Sequence, residues 1–223
     1  NISNDFVGHP LLESTSERGI DINQIIEKNN ALISIFPGSR KSELDILTPI
    51  LIDFIKLMNK KYKDFTYVFH STKEYSEFTQ DIIKKNDLNN CEVISDNKIK
   101  FHILKKSVFA VSKSGTVSLE ICNAKIPSII LYKMSLINFF IIKMLVKTKY
   151  ANIINIAAKE EIIPELLQFN CNPKKIFENV SNFLENPEKI NEQIKKTQLI
   201  INNFKTKKPS SLQAATVLNR FLN

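Results

Sequence analysis

The stretch 31–47, ALISIFPGSRKSELDIL, passes from strand to helix chemistry across a single Pro-Gly-Ser-Arg turn, and the rest of the chain is organised around it. Leu32, Ile33, Ile35 and Phe36 form the short apolar run that a strand buried on both faces requires. Pro37 and Gly38 stop it. Beyond the turn, Leu44, Leu47, Leu51, Phe54 and Met58 recur at three- and four-residue spacing, which predicts a helix with one apolar face. A strand, a glycine turn and a helix N-terminus together make an anion site. The unpaired N–H groups of the first helical turn and the guanidinium of Arg40 would face whatever lies beyond the strand end. A phosphate suits that place.

The same unit recurs. Phe65, Tyr67 and Phe69 alternate with Thr66 and Val68 in a strand over 65–70, followed by a helix over 74–85. A short strand at 92–95, a helix at 98–105 and a strand at 108–112 come next. Ser114-Gly115-Thr116 is then a second glycine turn opening a helix through Ala124, and Pro127 precedes a strand over 128–132. Strands alternating with helices across short links specify an α/β fold, a Rossmann-like parallel sheet with helices on both faces. Such sheets bind nucleotides at the C-terminal ends of their strands, where both glycine turns fall. Neither turn matches GxGxxG or GxxxxGK[ST]. Either one alone reads as an ordinary strand-to-helix link. Together, one with Arg40 and the other with Thr116 and Glu120, they favour a diphosphate. Glu120, one helical turn after Thr116, is spaced to accept hydrogen bonds from a ribose; its bland alternative is an exposed helix charge.

The flanks are less informative. Residues 1–30 read as a connecting segment with a Gly8-His9-Pro10 turn and a short helix at 21–28, and residues 31–223 as one domain with C-terminal helices. His9 in that turn reads as structural. The segment 135–147 is rich in apolar residues but broken by Asn138, Lys143 and Lys147, far short of the ~20 residues a membrane-spanning helix needs. It either lies on an anionic bilayer, with Phe139 and Phe140 buried and Lys143 and Lys147 at head-group level, or packs against the sheet or a partner chain. Helices are expected at 160–169, 173–185, 187–204 and 210–221, with prolines at or near the start of three.

Composition excludes more than it selects. At 43% hydrophobic residues the chain is globular, and its net charge of +8 points to anionic partners. Lys, Asn and Ile crowd the whole sequence, so most of that charge reads as solvated surface. Cys91, Cys122 and Cys171 are odd in number and lack CxxC spacing, which argues against a disulfide framework and a zinc site and for a reducing cytoplasm. No basic, apolar and small-residue succession follows Asn1, so no secretory leader is expected, and without an initiating Met something is expected to have preceded residue 1. A nucleic-acid module would need an aromatic-lined basic surface or a reading motif, and the sequence offers neither.

The segments FVGHPLLE (6–13), FPGSRKSEL (36–44), SKSGTVSLE (112–120), PSIILYKMS (127–135), LVKTKY (145–150), NIINIAAKEEIIPELLQ (152–168) and NPKKI (172–176) resemble, in this order, the C-terminal part of the lipid-A-disaccharide synthase family. The resemblance implies a GT-B glycosyltransferase, in which two Rossmann-like domains face each other across a cleft; the N-terminal acceptor half has no counterpart here. It implies transfer of 2,3-diacylglucosamine from UDP-2,3-diacylglucosamine to 2,3-diacylglucosamine 1-phosphate with inversion, releasing UDP, with no metal and no cofactor. It implies a peripheral enzyme on the cytoplasmic side of a Gram-negative inner membrane, and a homodimer. Ser39 and Arg40 would meet the diphosphate from the first turn, and Ser114, Gly115 and Thr116 from the second. Glu120 would take the ribose. Asn155 matches a family asparagine beside the nucleotide, and Glu165 and Gln168 belong to a PELLQ motif. The catalytic carboxylate is expected in the other half, so no residue here is named as the base. Two departures stand out: Ile154 replaces the usual proline, and Ala158-Lys159 the usual Gly-Arg, where lysine keeps the charge but lacks the planar fork. Another UDP-sugar enzyme of similar fold and a non-catalytic remnant stay open as alternatives.

Overall fold

The computed structural model describes residues 5–13, 31–135, 139 and 148–222. The expected helix at 21–28 lies outside the described residues, as do Phe140, Lys143 and Lys147. Among the described residues no helix is long and apolar enough to cross a membrane.

From residue 31 the chain runs β1 (Ala31–Phe36), α1 (Lys41–Lys61), β2 (Phe65–His70), α2 (Ser76–Lys85), β3 (Cys91–Ile94), α3 (Asn97–Lys106), β4 (Ser107–Lys113), α4 (Val117–Asn123) and β5 (Ser128–Tyr132). It continues through α5 (Ile153–Ala158), β6 (Glu165–Leu167), α6 (Pro173–Leu184), α7 (Pro187–Phe204) and α8 (Ser210–Leu222). The six strands form one parallel sheet in the order β3-β2-β1-β4-β5-β6.

The two-residue period of the strands divides the core. Ile33, Ile35, Tyr67, Phe69, Phe109, Val111, Ile129 and Leu131 project to one face and pack against Leu47, Leu51, Phe54 and Met58 of α1 and Ile176, Val180 and Phe183 of α6. On the other face Leu32 and Val68 meet Ile103 of α3, Phe36 and Ala110 meet Leu104 and Ile121, and Ile130 meets Leu119, Ile154 and Ile201. Each such fully buried aliphatic or aromatic side chain contributes about 1.5–3 kcal/mol by leaving water. Helices therefore cover both faces, as the apolar runs predict.

The expected helix at 160–169 is not formed. Glu165–Leu167 pairs in parallel with β5, Ile130 against Glu165 and Tyr132 against Leu167, and a 3-10 turn (Gln168–Asn170) follows. The helix lies earlier, at α5, capped by the Asn152 side chain, and ends at Lys159 in the left-handed conformation (φ 55°). Pro164 has no N–H to give a helix, while its carbonyl accepts the Ile130 N–H at 2.9 Å, so this stretch extends the sheet.

Residues 5–13 pack onto the domain. Leu12 is buried beside Leu119 and Cys122, and His9 N–H donates to Phe204 O at 3.2 Å. His9 Nδ1 accepts from Leu11 N, a structural role. The cysteines are free thiols, and burial pushes Cys91 and Cys122 up to about 12, which leaves neither as a nucleophile.

Candidate functional site

The strand order reverses between β1 and β4, which is where open α/β sheets open a crevice at their C-terminal edge. The first glycine turn follows β1 and the second follows β4. Both line one cleft of about 300 Å³, with Phe36, Gly38 and Ser39 on one side, Ser114, Gly115, Thr116 and Glu120 on the other, and His70, Ser71, Lys100 and Lys113 between them. The pairing of β1 with β4 thus brings Ser39, Ser114, Gly115, Thr116 and Glu120 together at one cleft.

Gly38 sits at φ 123°, a conformation that side-chain-bearing residues rarely adopt, and a Cβ there would lie 2.5 Å from Glu43 Oε2. The reason for this close approach is a hydrogen bond: Glu43 Oε2 accepts the Ser39 N–H at 3.0 Å. Its other oxygen lies 2.9 Å from Lys113 Nζ. Glu43, in the first turn of α1, thus supplies an internal anion to the N–H of Ser39, which lies in the turn ahead of the helix. Burial pushes the Glu43 carboxyl up, but Lys113 and the backbone N–H groups of Ser39 and Arg40 outweigh it, and the net shift is downward.

Arg40 faces elsewhere. Its side chain is 81% exposed, 3.9 Å from Glu43, and lines a neighbouring depression with Lys113, Tyr132 and Lys133. Glu120 is no exposed helix charge: it pairs with Lys100 of α3 at 2.6 Å.

Asn155 is fully buried and does not line the cleft. Its Oδ1 accepts the N–H groups of Ile162 and Ile163, and its Nδ2 donates to Ile163 O and to Glu165 Oε1 at 2.8 Å. Glu165 in turn accepts the N–H groups of Ala151 and Asn152, and the Ala151 carbonyl accepts the Ser114 hydroxyl at 2.8 Å. Asn155 therefore reaches the second glycine turn through Glu165 and Ala151. Gln168 Oε1 accepts the Met134 N–H, fastening the chain that leaves β5.

Beneath the cleft, His70 stacks on Phe36 with ring centroids 4.1 Å apart and planes 8° from parallel. Its Nε2 is 2.9 Å from Ser34 Oγ, which is 2.7 Å from Ser107 Oγ. Burial, with the Lys100 charge adding to it, pushes the imidazole down to about 3, so His70 is neutral. Glu43 and Lys113 lie inside the segments FPGSRKSEL and SKSGTVSLE without a role being read for them, and Lys100 and His70 had no signal in the sequence beyond their residue types.

The family model described as lipid-A-disaccharide synthetase matches residues 1–218. A lipid-A-disaccharide synthase from Rickettsia prowazekii is 32% identical over 223 residues, covering 97% of this chain and 58% of its own length. The chain spans about half the length of the curated relatives it matches. Among solved structures, a UDP-GlcNAc 2-epimerase from Neisseria meningitidis bound to UDP-GlcNAc aligns with a TM-score of 0.62 at 16% identity, over 89% of this chain and 47% of that one. The C-terminal domain of a group 1 family glycosyl transferase from Francisella tularensis aligns with a TM-score of 0.54 at 16% identity, over 81% of this chain and 88% of that one. At these identities the structural likeness establishes the fold, a GT-B-like α/β domain.

Proposed function

Because the chain belongs to the lipid-A-disaccharide synthetase family, we propose that it holds the UDP part of a UDP-2,3-diacylglucosamine donor for transfer of the sugar to 2,3-diacylglucosamine 1-phosphate. The observation that carries this reading is the pair of glycine turns on either side of the strand-order reversal, both lining one cleft. In that reading Ser39 and Arg40 meet the diphosphate from the turn before α1, and Ser114, Gly115 and Thr116 meet it from the turn after β4. Glu120 accepts from the ribose hydroxyls, sharing its carboxylate with Lys100. Asn155 acts at one remove, holding Glu165, which holds the segment that anchors Ser114.

The chemistry is a displacement at the anomeric carbon. A hydroxyl of the acceptor attacks from the face opposite the diphosphate, the new glycosidic bond forms as the bond to the β-phosphate oxygen breaks, and UDP leaves with the electron pair. The hydroxyl proton passes to a general base, a contribution of ~10²- to 10⁴-fold in rate. This chain is proposed as the donor-binding half, with residues 31–223 as its nucleotide-sugar domain, and no residue of it is assigned as that base. Contact of Phe139, Phe140, Lys143 and Lys147 with an anionic membrane on the cytoplasmic side, and a homodimer, belong to the same proposal.

Calorimetric titration with UDP tests it. Saturable one-to-one binding is expected, together with no disaccharide formed from diacylated donor and acceptor by the 223-residue chain alone. Absence of UDP binding overturns the reading, and turnover by the isolated chain overturns the division of labour.

A further inference from the structure

The hydroxyl relay under the cleft has a fixed direction. The Ile103 carbonyl can only accept, so the Ser107 hydroxyl, 3.0 Å away, donates to it. A hydroxyl has one proton, so across the 2.7 Å contact Ser107 accepts and Ser34 donates. Ser34 has then spent its proton too, and across the 2.9 Å contact it accepts from His70 Nε2. The imidazole therefore carries its proton on Nε2, and Nδ1 presents a lone pair. That nitrogen is buried and has no hydrogen-bond partner among the described residues. His70 as a whole is 8% exposed. The hydroxyl of the next residue, Ser71, is likewise buried with no partner among the described residues, and both residues line the cleft.

An unsatisfied acceptor beside an unsatisfied hydroxyl at the wall of a cleft calls for a ligand that brings its own N–H or O–H. Phosphate oxygens accept only and would turn electron density toward the Nδ1 lone pair. The lysines and glycine turns of the same cleft suit phosphate; this corner does not. Resting on the UDP reading above, we propose that His70 Nδ1 accepts a hydrogen bond from the nucleoside of the bound nucleotide, with Ser71 Oγ as its second polar partner, so that the pair selects the neutral portion of the ligand. Two groups of uridine have the required chemistry: the uracil N3–H, flanked by carbonyl oxygens that a serine hydroxyl can serve, and the ribose hydroxyls.

The test is calorimetry with UDP and with inorganic pyrophosphate on the parent chain, His70→Phe and Ser71→Ala. Phenylalanine keeps a ring against Phe36 while removing the lone pair. UDP affinity is expected to fall about tenfold in His70→Phe and less in Ser71→Ala, with pyrophosphate affinity unchanged in both. Circular dichroism checks the fold; where His70→Phe is unstable, Ser71→Ala and the ligand analogues carry the test on the parent. N3-methyl-UDP and CDP lack the imide N–H, and 2′-deoxy-UDP and 3′-deoxy-UDP each lack one hydroxyl. The parent is expected to bind one of these two groups of analogues more weakly than UDP, which names the group that donates, and a foldable His70→Phe is expected to lose that discrimination. Variants that bind UDP as the parent does, equal losses for UDP and pyrophosphate, or a parent indifferent to every analogue would overturn the assignment while leaving UDP binding intact. A parent that fails to bind UDP at all overturns the nucleotide reading itself, and this assignment with it.

Discussion

Glu43 Oε1 lies 2.9 Å from Lys113 Nζ, which ties the helix behind the first glycine turn to the strand that leads into the second. The pair spans the strand-order reversal, so the two walls of the cleft are held at a set separation by charge as well as by the β1–β4 ladder. Every residue packed against Glu43 inherits that constraint.

Gly38 is the first to feel it. In Gly38→Ala the new Cβ would lie 2.5 Å from Glu43 Oε2 and 2.8 Å from Glu43 Cβ, at a φ that alanine resists. We expect a loss of about 1–3 kcal/mol in urea unfolding, with weaker UDP binding. Gly115→Ala meets nothing nearer than 4.0 Å and has no positive φ, so it should unfold within about 0.5 kcal/mol of the parent. Equal losses at the two glycines would contradict this.

Arg40→Ala is expected to leave stability within about 0.5 kcal/mol, because the side chain is solvated, and to weaken UDP binding by about 1.5–3 kcal/mol, as loss of a hydrogen bond to a charged group does. Equal UDP affinity in calorimetry would remove Arg40 from the diphosphate site.

For Glu120→Gln, affinity for UDP should drop more than affinity for pyrophosphate, since only the former carries a ribose. Losing the Lys100 pair affects both ligands alike, so the difference between them isolates the sugar contact.

The neutral His70 makes stability depend on pH in a definite window. Its folded value is about 3 while an unfolded histidine titrates near 6.5, so between these values the unfolded chain holds the extra proton. Stability is full above pH 6.5 and falls as pH drops toward 3, with a slope of up to about 1.4 kcal/mol per unit. His70→Phe should flatten that part of the curve in urea melts at pH 7, 6 and 5. Parallel curves would mean that the imidazole takes up its proton as readily in the folded chain as in the unfolded one.

Asn155→Ala strips partners from two backbone N–H groups, one carbonyl and one carboxylate at a buried site. A cost of about 2–4 kcal/mol is expected in denaturant unfolding. A near-neutral result would show that the loop from Lys159 to Pro164 is held by something other than this amide.

Much of the architecture was legible because the buried strands announce themselves. The runs at Leu32 and Ile129 are apolar on both faces, the first ending at Pro37-Gly38 and the second beginning after Pro127, and the helices between them carry a stripe of their own. Strand β6 was not legible: Glu165, Leu166 and Leu167 are too few to show a period, and Ile162 and Ile163 before them fit a helical stripe equally well. Only pairing with Ile130 and Tyr132 decides the matter, and that contact is remote in sequence. The glycine turns could be read for the same reason as the strands, since Gly38 and Ser114-Gly115 punctuate them. Their counter-ions could not. Lys113 looked like a link between a strand and a turn and Lys100 like one lysine among many, and each meets its glutamate only after the sheet brings distant segments together.

The cleft described above is electrically balanced although the chain as a whole carries +8. Its two ammonium groups, Lys100 and Lys113, are matched by two carboxylates, Glu120 and Glu43, and His70 adds no charge. Under the proposed function, an arriving diphosphate would find no spare side-chain cation inside; it would have to draw a lysine away from its glutamate or bring in the solvated Arg40 from the next depression. By the first route occupancy would be a displacement of one anion by another, with the released carboxylate left to take up a proton or turn to water. In such a cleft the unliganded chain would be its own weak competitor, and the affinity seen from outside would be the difference between two attractions of the same kind.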